Sequence, residues 1–343
     1  MNSQVMIIAE IGSVHDGSYG NALKLIDAAA ACGAGAVKFQ THIPEAETTR
    51  DAPAPGYFSA EDRFAYFQRT GFNLKQWCAI KQRCDERGVV FLSSPFSEAA
   101  VELLEQVGMQ MYKIPSGEVS NTPMLERIAG LGKPVLLSSG MSNWPELDRA
   151  VEIFTNRGVE LTLLQCSSVY PCPDESVGLN LLDEMRQRYR VPVGFSDHTL
   201  GAHACIAAVT LGAVVIEKHF TFSRLMYGSD AQHSMEPEEF SGLVASVRGV
   251  EKMLASPVDK NAIKNYQGMK VIFEKSLVAA AALPAGTVLT RDHIEIKKPG
   301  TGIPAAMLER IIGATLARDV AADELFALKD FTDGESRFED CPL

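Results

Sequence analysis

The sequence is short of basic side chains, of paired cysteines and of long apolar runs. Its 343 residues hold 32 Lys and Arg against 43 Asp and Glu, and a net charge of −11 disfavours nucleic-acid binding, which needs a basic surface. Its seven cysteines form no Cys-x-x-Cys pair, so a disulfide framework is not expected. No apolar run reaches the roughly 18 residues of a membrane span. We therefore expect a reduced cytoplasmic protein that binds neither nucleic acid nor membranes.

Two further absences limit the function. The N-terminal residues MNSQVMIIAE lack the basic and apolar regions of a signal peptide. The sequence contains no Gly-x-x-x-x-Gly-Lys-Ser/Thr motif, which weakens an interpretation as a nucleotide-binding protein. The acidic balance does not exclude a small anionic substrate, because a few lysines and helix N-termini can form a local positive site. We expect an enzyme.

Short β-branched runs alternate with amphipathic stretches over the first 255 residues or so. The helical patterns run from Asn21–Ala31 to Pro237–Leu254, one after each strand. Eight βα units in about 250 residues predict a (β/α)8 barrel of the α/β class, with an open doubly wound sheet as the alternative. The predicted strands are Met6–Ile11, Ala36–Gln40, Val89–Ser93, Met111–Pro115, Val135–Ser138, Leu161–Cys166, Val191–Phe195 and Ala213–His219.

The pattern predicts three segments, with residues 1–254 as the barrel. Residues 255–275 are polar and weakly helical, which is typical of a linker. Residues 276–335 contain PAG and PGTG turns between short apolar runs, which predicts a small α+β domain. Within the barrel, Thr41–Gln68 is rich in Pro, Thr, Asp and Ala and is interpreted as a long loop, either functional or a solvated insertion.

Polar residues follow most of the predicted strands. Barrel active sites lie where the strands end, so these side chains are expected to share one site, although taken singly many serines there only cap helices. They are Glu10, Lys38, Gln40, Ser93, Ser94, Lys113, Ser116, Glu118, Ser138, Ser139, Ser167, Ser168, Ser196, Asp197, His198, Glu217 and His219.

Two histidines and one lysine suggest specific chemistry. His198 and His219 end neighbouring strands, where they could bind one divalent metal or be hydrogen-bonded core residues. Lys113 emerges from a buried strand and requires an anion. That anion could be a phosphate held with nearby serine hydroxyls, or an internal carboxylate from Glu118 or Glu10.

Several motifs occur together in one order along the chain. They are AEIGSVHDGS, VKFQTH, YKIPSGE, LLSSGM, CSSVYP, GFSDHT, EKHFT, GSDAQHSMEP and, near the C-terminus, KKPGTGIP. This set resembles the sialic acid synthase family, which includes N-acetylneuraminate, legionaminate and pseudaminate synthases and spore coat polysaccharide protein E. The last motif is similar to the antifreeze-like (SAF) domain of that family. The resemblance extends from about Met6 to Phe331.

The resemblance implies a TIM barrel followed by an SAF domain, in a domain-swapped homodimer. It implies condensation of phosphoenolpyruvate with an N-acetylated amino-sugar aldehyde to give a nonulosonic acid and phosphate, for surface polysaccharide biosynthesis. His198 and His219 match ligands of Mn²⁺, Mg²⁺ or another divalent metal. Lys298 of the partner chain would touch the sugar. Positions matching the phosphoenolpyruvate site are Lys113, Ser116, Ser138, Ser168 and Ser196. Positions matching the sugar and reacting centre are Glu10, Lys38, Gln40, Tyr170 and Asp230.

Some positions depart from the family pattern. Val14 stands where Asn is common, Gln165 where His is common, Ser168 where Asn is common, and Lys298 where Arg is common. Lys cannot form the bidentate fork of Arg. These changes are expected on the sugar side or in its surroundings, so ordinary N-acetylmannosamine is a less favoured substrate. Two alternatives stay open: a sugar-binding protein without catalytic activity, supported by Val14 and Gln165, and a metal-dependent aldolase that uses pyruvate.

Overall fold

The computed structural model describes residues 4–53, 61–334 and 338. The chain divides into two compact units, Met1–Ser256 and Pro257–Leu343. Among the described residues, no helix combines the length and the apolar character needed to cross a membrane.

The first unit is a ring of parallel strands. Neighbouring strands are hydrogen-bonded in the order β3-β2-β1-β8-β7-β6-β5-β4, and β3 lies beside β4 to complete the ring. This arrangement confirms the predicted (β/α)8 barrel over the open doubly wound sheet. The strands are β1 (Met6–Gly12), β2 (Ala36–Thr41), β3 (Val90–Pro95), β4 (Tyr112–Ile114), β5 (Val135–Ser138), β6 (Leu161–Cys166), β7 (Val193–Asp197) and β8 (Val215–His219).

Helices surround the barrel, and local sequence sets their ends. Asn143 caps α7 by accepting from the backbone N–H of Glu146, whose side chain accepts from the N–H of Asn143 in return. Gly88 ends α4 at a φ of 70°, a left-handed conformation that glycine adopts without strain. The helices described in this unit are α1 (Tyr19–Ala31), α2 (Pro44–Glu47), α3 (Arg63–Thr70), α4 (Leu74–Arg87), α5 (Glu98–Val107), α6 (Thr122–Gly130), α7 (Trp144–Thr155), α8 (Leu181–Tyr189), α9 (His203–Thr210) and α10 (Pro237–Leu254).

The segment Thr41–Gln68 is not one continuous loop, and that prediction is wrong. It contains α2 and most of α3. The Asp62 side chain caps α3, and Tyr66 and Phe67 are buried, so this short polar-looking stretch is held by apolar contacts with the rest of the unit. Residues 54–60, in the middle of the segment, lie outside the described residues.

The barrel interior has an apolar layer beneath the functional side chains. Side chains two residues apart on a strand point to the same face, so the next inward position on each strand lies one layer higher. The apolar layer consists of Ile8, Ala36, Leu92, Leu136, Leu164 and Val215, with Met6 and Met111 packed against it.

Alternate residues at the ends of β7 and β8 face the surrounding helices and form a buried ion pair. Lys218 Nζ lies 2.6 Å from Asp197 Oδ2 and also donates to the backbone oxygens of Thr199 and Gly201. Cys205 of α9 donates to the same Asp197 oxygen at 3.1 Å. Both charged side chains are almost fully buried. The pair therefore ties the turn after β7 to β8.

Replacing Asp197 with asparagine should destabilise the fold strongly. The Asp197→Asn variant leaves the Lys218 ammonium buried without its counterion, which typically costs about 3 to 5 kcal/mol. Urea unfolding would measure the loss. The exposed Asp183, which pairs with Arg186 at 3.4 Å, gives a matched control: Asp183→Asn should cost less than about 1 kcal/mol. Equal effects from the two substitutions would contradict the assignment.

The second unit is a small domain of short strands and turns. The strands β9 (Ser276–Ala279) and β10 (Ile294–Lys297) pair antiparallel, and the helices are α11 (Gln267–Phe273) and α12 (Leu308–Ile311). Its core is separate from that of the barrel unit and is built around Leu277, Leu289, Ile311 and Phe326. The second half of the predicted linker therefore contains a helix, α11, and the residues from Pro257 onward group with this unit.

Candidate active site

The layer above the apolar residues of the barrel is almost entirely polar. Each member stands two residues after a residue of the apolar layer or its equivalent on the same strand, so the alternation of the strands places them together. This layer consists of Glu10, Lys38, Ser94, Lys113, Ser138, Cys166, Ser196 and Glu217. All of them line one cavity of about 260 Å³ at the carboxyl ends of the strands. This is the position at which barrel enzymes place their active sites.

All twelve residues of the barrel unit that the family resemblance assigns to the site line this cavity. The structure therefore brings together twelve side chains from all parts of the first 230 residues: Glu10, Lys38, Gln40, Lys113, Ser116, Ser138, Ser168, Tyr170, Ser196, His198, His219 and Asp230. Five of the other strand-end polar residues expected there do not: Ser93, Glu118, Ser139, Ser167 and Asp197. Ser93, Ser139 and Asp197 each stand next to an inward-facing residue in the chain and therefore point away from the barrel interior.

Two lysines and two glutamates form an ionic cluster at the bottom of the cavity. Lys38 Nζ lies 3.0 Å from Glu10 Oε2 and 3.4 Å from Glu217 Oε1. Lys113 Nζ lies 3.6 Å from the same Glu217 oxygen, which also accepts from the Ser196 hydroxyl at 3.1 Å. Lys113 thus pairs with Glu217, and the internal partners considered from the sequence, Glu118 and Glu10, are wrong. Glu118 instead accepts from the Asn121 side chain, and Glu10 pairs with Lys38.

Burial and mutual attraction set the charges of this cluster. Burial alone raises the pKa of Glu217, but the nearby Lys113 and Lys38 outweigh it and lower that pKa to about 2. Burial also acts to lower the pKa of Lys38, yet Glu10 and Glu217 outweigh it and raise that pKa. For Lys113 burial dominates, aided by the charge of Lys38, and its pKa falls. Lys113 shares its counterion, so a bound anion beside it would stabilise its charged form.

The two predicted metal ligands lie at the upper rim of the cavity. The ring centroids of His198 and His219 are 5.6 Å apart, and the Tyr170 ring packs on His198 at 4.0 Å. His198 Nδ1 lies 2.6 Å from the backbone oxygen of Ser167, to which it donates, so its Nε2 carries the free lone pair. Burial lowers the pKa of both rings, which keeps them in the neutral form that metal ions bind.

The donor set fits a divalent metal with open coordination positions. His219 Nδ1 is buried and has no hydrogen-bond partner among the described residues, which is costly for a ring nitrogen unless something binds there. Within the described ranges, no three His, Cys, Asp or Glu side chains are grouped closely enough to enclose a metal alone. Two imidazoles would therefore leave positions for water or substrate.

Small residues and hydroxyls form a cradle beside Lys113. The Ser116 hydroxyl accepts from the backbone N–H of Gly140 at 3.0 Å. A Cβ atom on Gly140 would lie 2.5 Å from Ser168 Oγ and 2.8 Å from Ser116 Oγ, so only glycine leaves both hydroxyls in place. The buried Ser138 hydroxyl has no partner in the described part of the chain. A ligand with several acceptor oxygens would satisfy these groups.

The side of the cavity near β1 is held by a second glycine. A Cβ atom on Gly12 would lie 2.5 Å from Asp230 Oδ2, and Gly12 has a φ of 55°. The same carboxylate accepts from the backbone N–H of Ser13 at 3.4 Å. Asp230, which follows β8 by eleven residues, is thereby fixed against the end of β1.

The sequence interpretation missed several residues of the cavity wall. Glu217 is one of the predicted strand-end polar residues, but the sequence indicates no role for it. Its two lysine partners, Lys38 and Lys113, lie on distant strands, so no sequence spacing predicts the pairing. His42 was not singled out, because it follows a strand by one residue within what was interpreted as a loop. The other wall residues that were not predicted are Ser13, Arg63, Phe67, Phe96, Pro115, Gly117, Met141, Cys166 and Ser229.

Two departures from the family pattern lie away from the cavity wall. Val14 is buried in the main core of the unit. Gln165 accepts from the Ser139 hydroxyl and donates to the backbone oxygen of Val177. Neither side chain is among those that line the cavity. Lys298 belongs to the second unit, where its Nζ lies 4.7 Å from the centre of the Phe273 ring.

Known proteins resemble the chain along nearly its whole length. The sequence pattern of the NeuB family matches residues 25–259, and that of the SAF domain matches residues 274–332. The N,N'-diacetyllegionaminic acid synthase of Campylobacter jejuni is 36% identical over 330 residues, which cover 94% of this chain and 98% of that protein.

Solved structures agree. The N-acetylneuraminic acid (sialic acid) synthetase of Leptospira borgpetersenii, solved in complex with citrate, has a TM-score of 0.69 and 31% identity, covering 78% of this chain and 91% of that one. A spore coat polysaccharide biosynthesis protein of Bacillus subtilis has a TM-score of 0.66 and 27% identity, covering 96% of each chain. These matches confirm the family predicted from the motifs, and with it an enzyme of the sialic acid synthase type. The chain belongs to the NeuB family and carries that family's C-terminal SAF domain.

Proposed function

We propose that the protein condenses phosphoenolpyruvate with an N-acetylated amino-sugar aldehyde, giving a nonulosonic acid and phosphate for surface polysaccharide biosynthesis. The observation that carries the proposal is one cavity with different chemistry at its two ends. Lys113, which shares its counterion, and the unpartnered Ser138 hydroxyl lie at one end, and the imidazoles of His198 and His219 lie at the other. Relatives named as synthases of diacetyllegionaminic acid and N-acetylneuraminic acid support the product class.

Phosphoenolpyruvate is proposed to lie beside Lys113 and the serine cradle. Its phosphate and carboxylate supply the acceptor oxygens that Ser116, Ser138 and Ser168 can satisfy, and the negative charge that Lys113 lacks. Charge-assisted hydrogen bonds of this kind are about twice as strong as neutral ones. The ionic cluster at the bottom of the cavity holds the ammonium groups of Lys38 and Lys113 in fixed positions.

The sugar is proposed to occupy the rim between the histidines and Asp230. A divalent ion such as Mn²⁺ or Mg²⁺, held by His198 and His219, would act there as a Lewis acid that polarises the aldehyde oxygen. Gln40 and Asp230 offer an amide and a carboxylate to the sugar hydroxyls, and Tyr170 covers the rings.

Side chains of the cavity account for the bond-forming and proton-transfer steps of the proposed reaction. C3 of phosphoenolpyruvate attacks the aldehyde carbon, and the former enol carbon becomes oxocarbenium-like, facing the carboxylates of Glu10 and Glu217. Water adds to that carbon, and the C–O bond to phosphate breaks in the tetrahedral product. Glu10, oriented by Gln40 at 2.9 Å and Lys38 at 3.0 Å, is positioned to take the proton from water and return it to the former aldehyde oxygen.

The dimer and the role of Lys298 are part of the same proposal. In the proposed assembly, the SAF domain of one chain closes the cavity of its partner in a domain-swapped homodimer, with Lys298 near the sugar. Closure by a second chain would exclude water and strengthen the charged contacts.

Phosphate release tests the proposed function. Purified protein with Mn²⁺, phosphoenolpyruvate and a panel of 2-acetamido and 2,4-diacetamido hexoses should release phosphate with at least one sugar. Pyruvate in place of phosphoenolpyruvate should give no product, and borohydride should trap no adduct at Lys113. Failure across the panel, with no calorimetric binding of phosphoenolpyruvate, would overturn the proposal.

A single methyl group at Gly140 should weaken phosphoenolpyruvate binding. In Gly140→Ala the new Cβ collides with Ser116 and Ser168, so the cradle must open. Loss of two positioned hydroxyl contacts at about 1 kcal/mol or more each predicts a rise in Kd of roughly thirtyfold. Calorimetry without sugar measures it. Gly130→Ala at the end of α6, where a Cβ meets nothing within 4 Å, is the control and should bind as the wild type does.

A further inference from the structure

His42 is clamped between two aromatic rings on the cavity wall. Its ring stacks on Phe67 of α3 with centroids 3.6 Å apart and on Phe96, just after β3, at 4.1 Å, both nearly parallel. The side chain is 6% exposed. The two phenyl rings fix the plane of the imidazole, so both of its nitrogens must lie in that plane.

Both nitrogens of His42 meet oxygen atoms. Nδ1 lies 2.9 Å from Glu47 Oε1, a carboxylate of α2 that is 4% exposed, and Nε2 lies 3.1 Å from Gln40 Oε1. Each contact needs a proton between the two atoms, because oxygens of this kind are acceptors. The contact with Gln40 Oε1 therefore places an N–H on the Nε2 side of the His42 ring.

The contact with Gln40 has a consequence for Glu10. Gln40 Nε2 donates to Glu10 Oε1 at 2.9 Å, while Lys38 binds the other carboxylate oxygen. An amide rotated by half a turn would present its oxygen to the Glu10 carboxylate. The N–H of His42 prevents that rotation, because it requires an acceptor on the same side.

We propose that His42 is a positioning residue, which, anchored by Glu47 and the two phenyl rings, holds the Gln40 amide in the orientation that presents an N–H to Glu10. The inference rests on the proposed function, in which Gln40 and Glu10 serve the sugar and the reacting centre. A purely structural role would need only a flat ring between Phe67 and Phe96, and phenylalanine would fill it equally well. The hydrogen bonds to Gln40 and Glu47 are what an imidazole adds.

The substitution His42→Phe separates the two roles. It keeps the stacked ring and removes both hydrogen bonds. The protein should still fold, with an unfolding temperature lowered by the Glu47 carboxylate, which is 4% exposed and loses its partner. Misplacement of a catalytic group by about 1 Å can cost a hundredfold, so kcat should fall by roughly tenfold to a hundredfold. The Kd for phosphoenolpyruvate without sugar should change by less than about twofold, because Lys113 and the serine cradle are untouched.

Two further variants and one structural readout complete the test. Glu47→Leu, which removes the anchor, should lower kcat in the same way. Glu45→Gln changes a neighbouring carboxylate on α2 that binds Gln68 at 3.0 Å, and should leave kcat unchanged. Crystal structures of the wild type and His42→Phe should show the Gln40 amide displaced from Glu10 in the variant.

The outcomes distinguish this inference from the proposed function. Wild-type turnover with an unchanged kcat in His42→Phe would overturn the inference and leave the function standing. An inactive wild type would overturn the function, and the position of Gln40 in the two crystals would then decide the inference alone. A Gln40 amide that keeps its contact with Glu10 in the variant contradicts it in either case.

Discussion

Replacing Lys113 with methionine is expected to lower kcat/KM for phosphoenolpyruvate by roughly thirtyfold to several thousandfold. Removing one partner of a buried, hydrogen-bonded charge pair typically costs 2 to 5 kcal/mol or more, and each 1.36 kcal/mol is a factor of ten. Methionine retains the length and apolar body of the lysine stem. The loss therefore falls on the anion and on the charge of the site, while packing against the strands is preserved.

Stability and a surface control separate binding from folding in this variant. Lys113→Met leaves Glu217 paired with Lys38 at 3.4 Å and with Ser196 at 3.1 Å, so no carboxylate loses its last partner. It also removes an ammonium whose charged form burial disfavours, so the free energy of unfolding should stay close to that of the wild type. Lys24→Met on α1, whose side chain is 73% exposed, should leave kinetics unchanged. Steady-state phosphate release and urea unfolding measure both. A Lys113→Met enzyme with wild-type kcat/KM would remove Lys113 from the substrate site.

Replacing either rim histidine with asparagine is expected to abolish manganese-dependent turnover. Loss of an outer-shell partner lowers metal affinity by about tenfold to a hundredfold, and loss of a ligand should exceed that. Lewis-acid stabilisation of several kcal/mol predicts a fall in kcat of about a thousandfold for His198→Asn or His219→Asn. Calorimetry with Mn²⁺ reports the binding directly, without turnover.

The matched control for these variants is an exposed histidine. His203 lies on α9, pairs with Asp174 at 2.9 Å and has a side chain that is 62% exposed. His203→Asn should therefore retain both manganese affinity and turnover. Wild-type manganese affinity in His198→Asn and in His219→Asn would contradict the proposed metal site, whatever their activity.

Most of the barrel could be predicted because its strands carry local signals. The run Leu161–Cys166 contains three leucines between short polar positions, and the structure places strand β6 on the same residues. The predicted strand Val191–Phe195 ends two residues before the observed strand Val193–Asp197 does. The last two residues of the observed strand, Ser196 and Asp197, are polar, so the sequence pattern did not include them. Asp197 belongs inside the sheet only because Lys218 of the next strand neutralises it, and that partner is distant in sequence.

The layering of the site could be predicted only in part. Period-two alternation places polar residues such as Glu10 and Lys38 above Ile8 and Ala36, so their shared location follows from strand pattern alone. Which lysine pairs with which carboxylate depends on how the eight strands close into a barrel. Glu217, on β8, reaches Lys113 on β4 across the barrel interior, and no sequence spacing indicates that contact.

Loop-borne residues were the hardest to predict. His42 owes its position to Phe67 and Phe96, which arrive from a helix hidden in a Pro-rich segment and from the end of another strand. Val14 is part of the motif AEIGSVHDGS, yet its side chain belongs to the main core and does not line the cavity. Motif membership places the backbone near the site, and the direction of the side chain needs the structure.

Identification of the product by mass spectrometry tests the central proposal most directly. The protein is incubated with Mn²⁺, phosphoenolpyruvate labelled with ¹⁸O in the C–O–P bridge, and the panel of 2-acetamido and 2,4-diacetamido hexoses. The proposal predicts a product one pyruvate unit heavier than a sugar of the panel, with the label released in inorganic phosphate through C–O cleavage. Phosphate without the label, or a condensation product formed equally well from pyruvate, would contradict it.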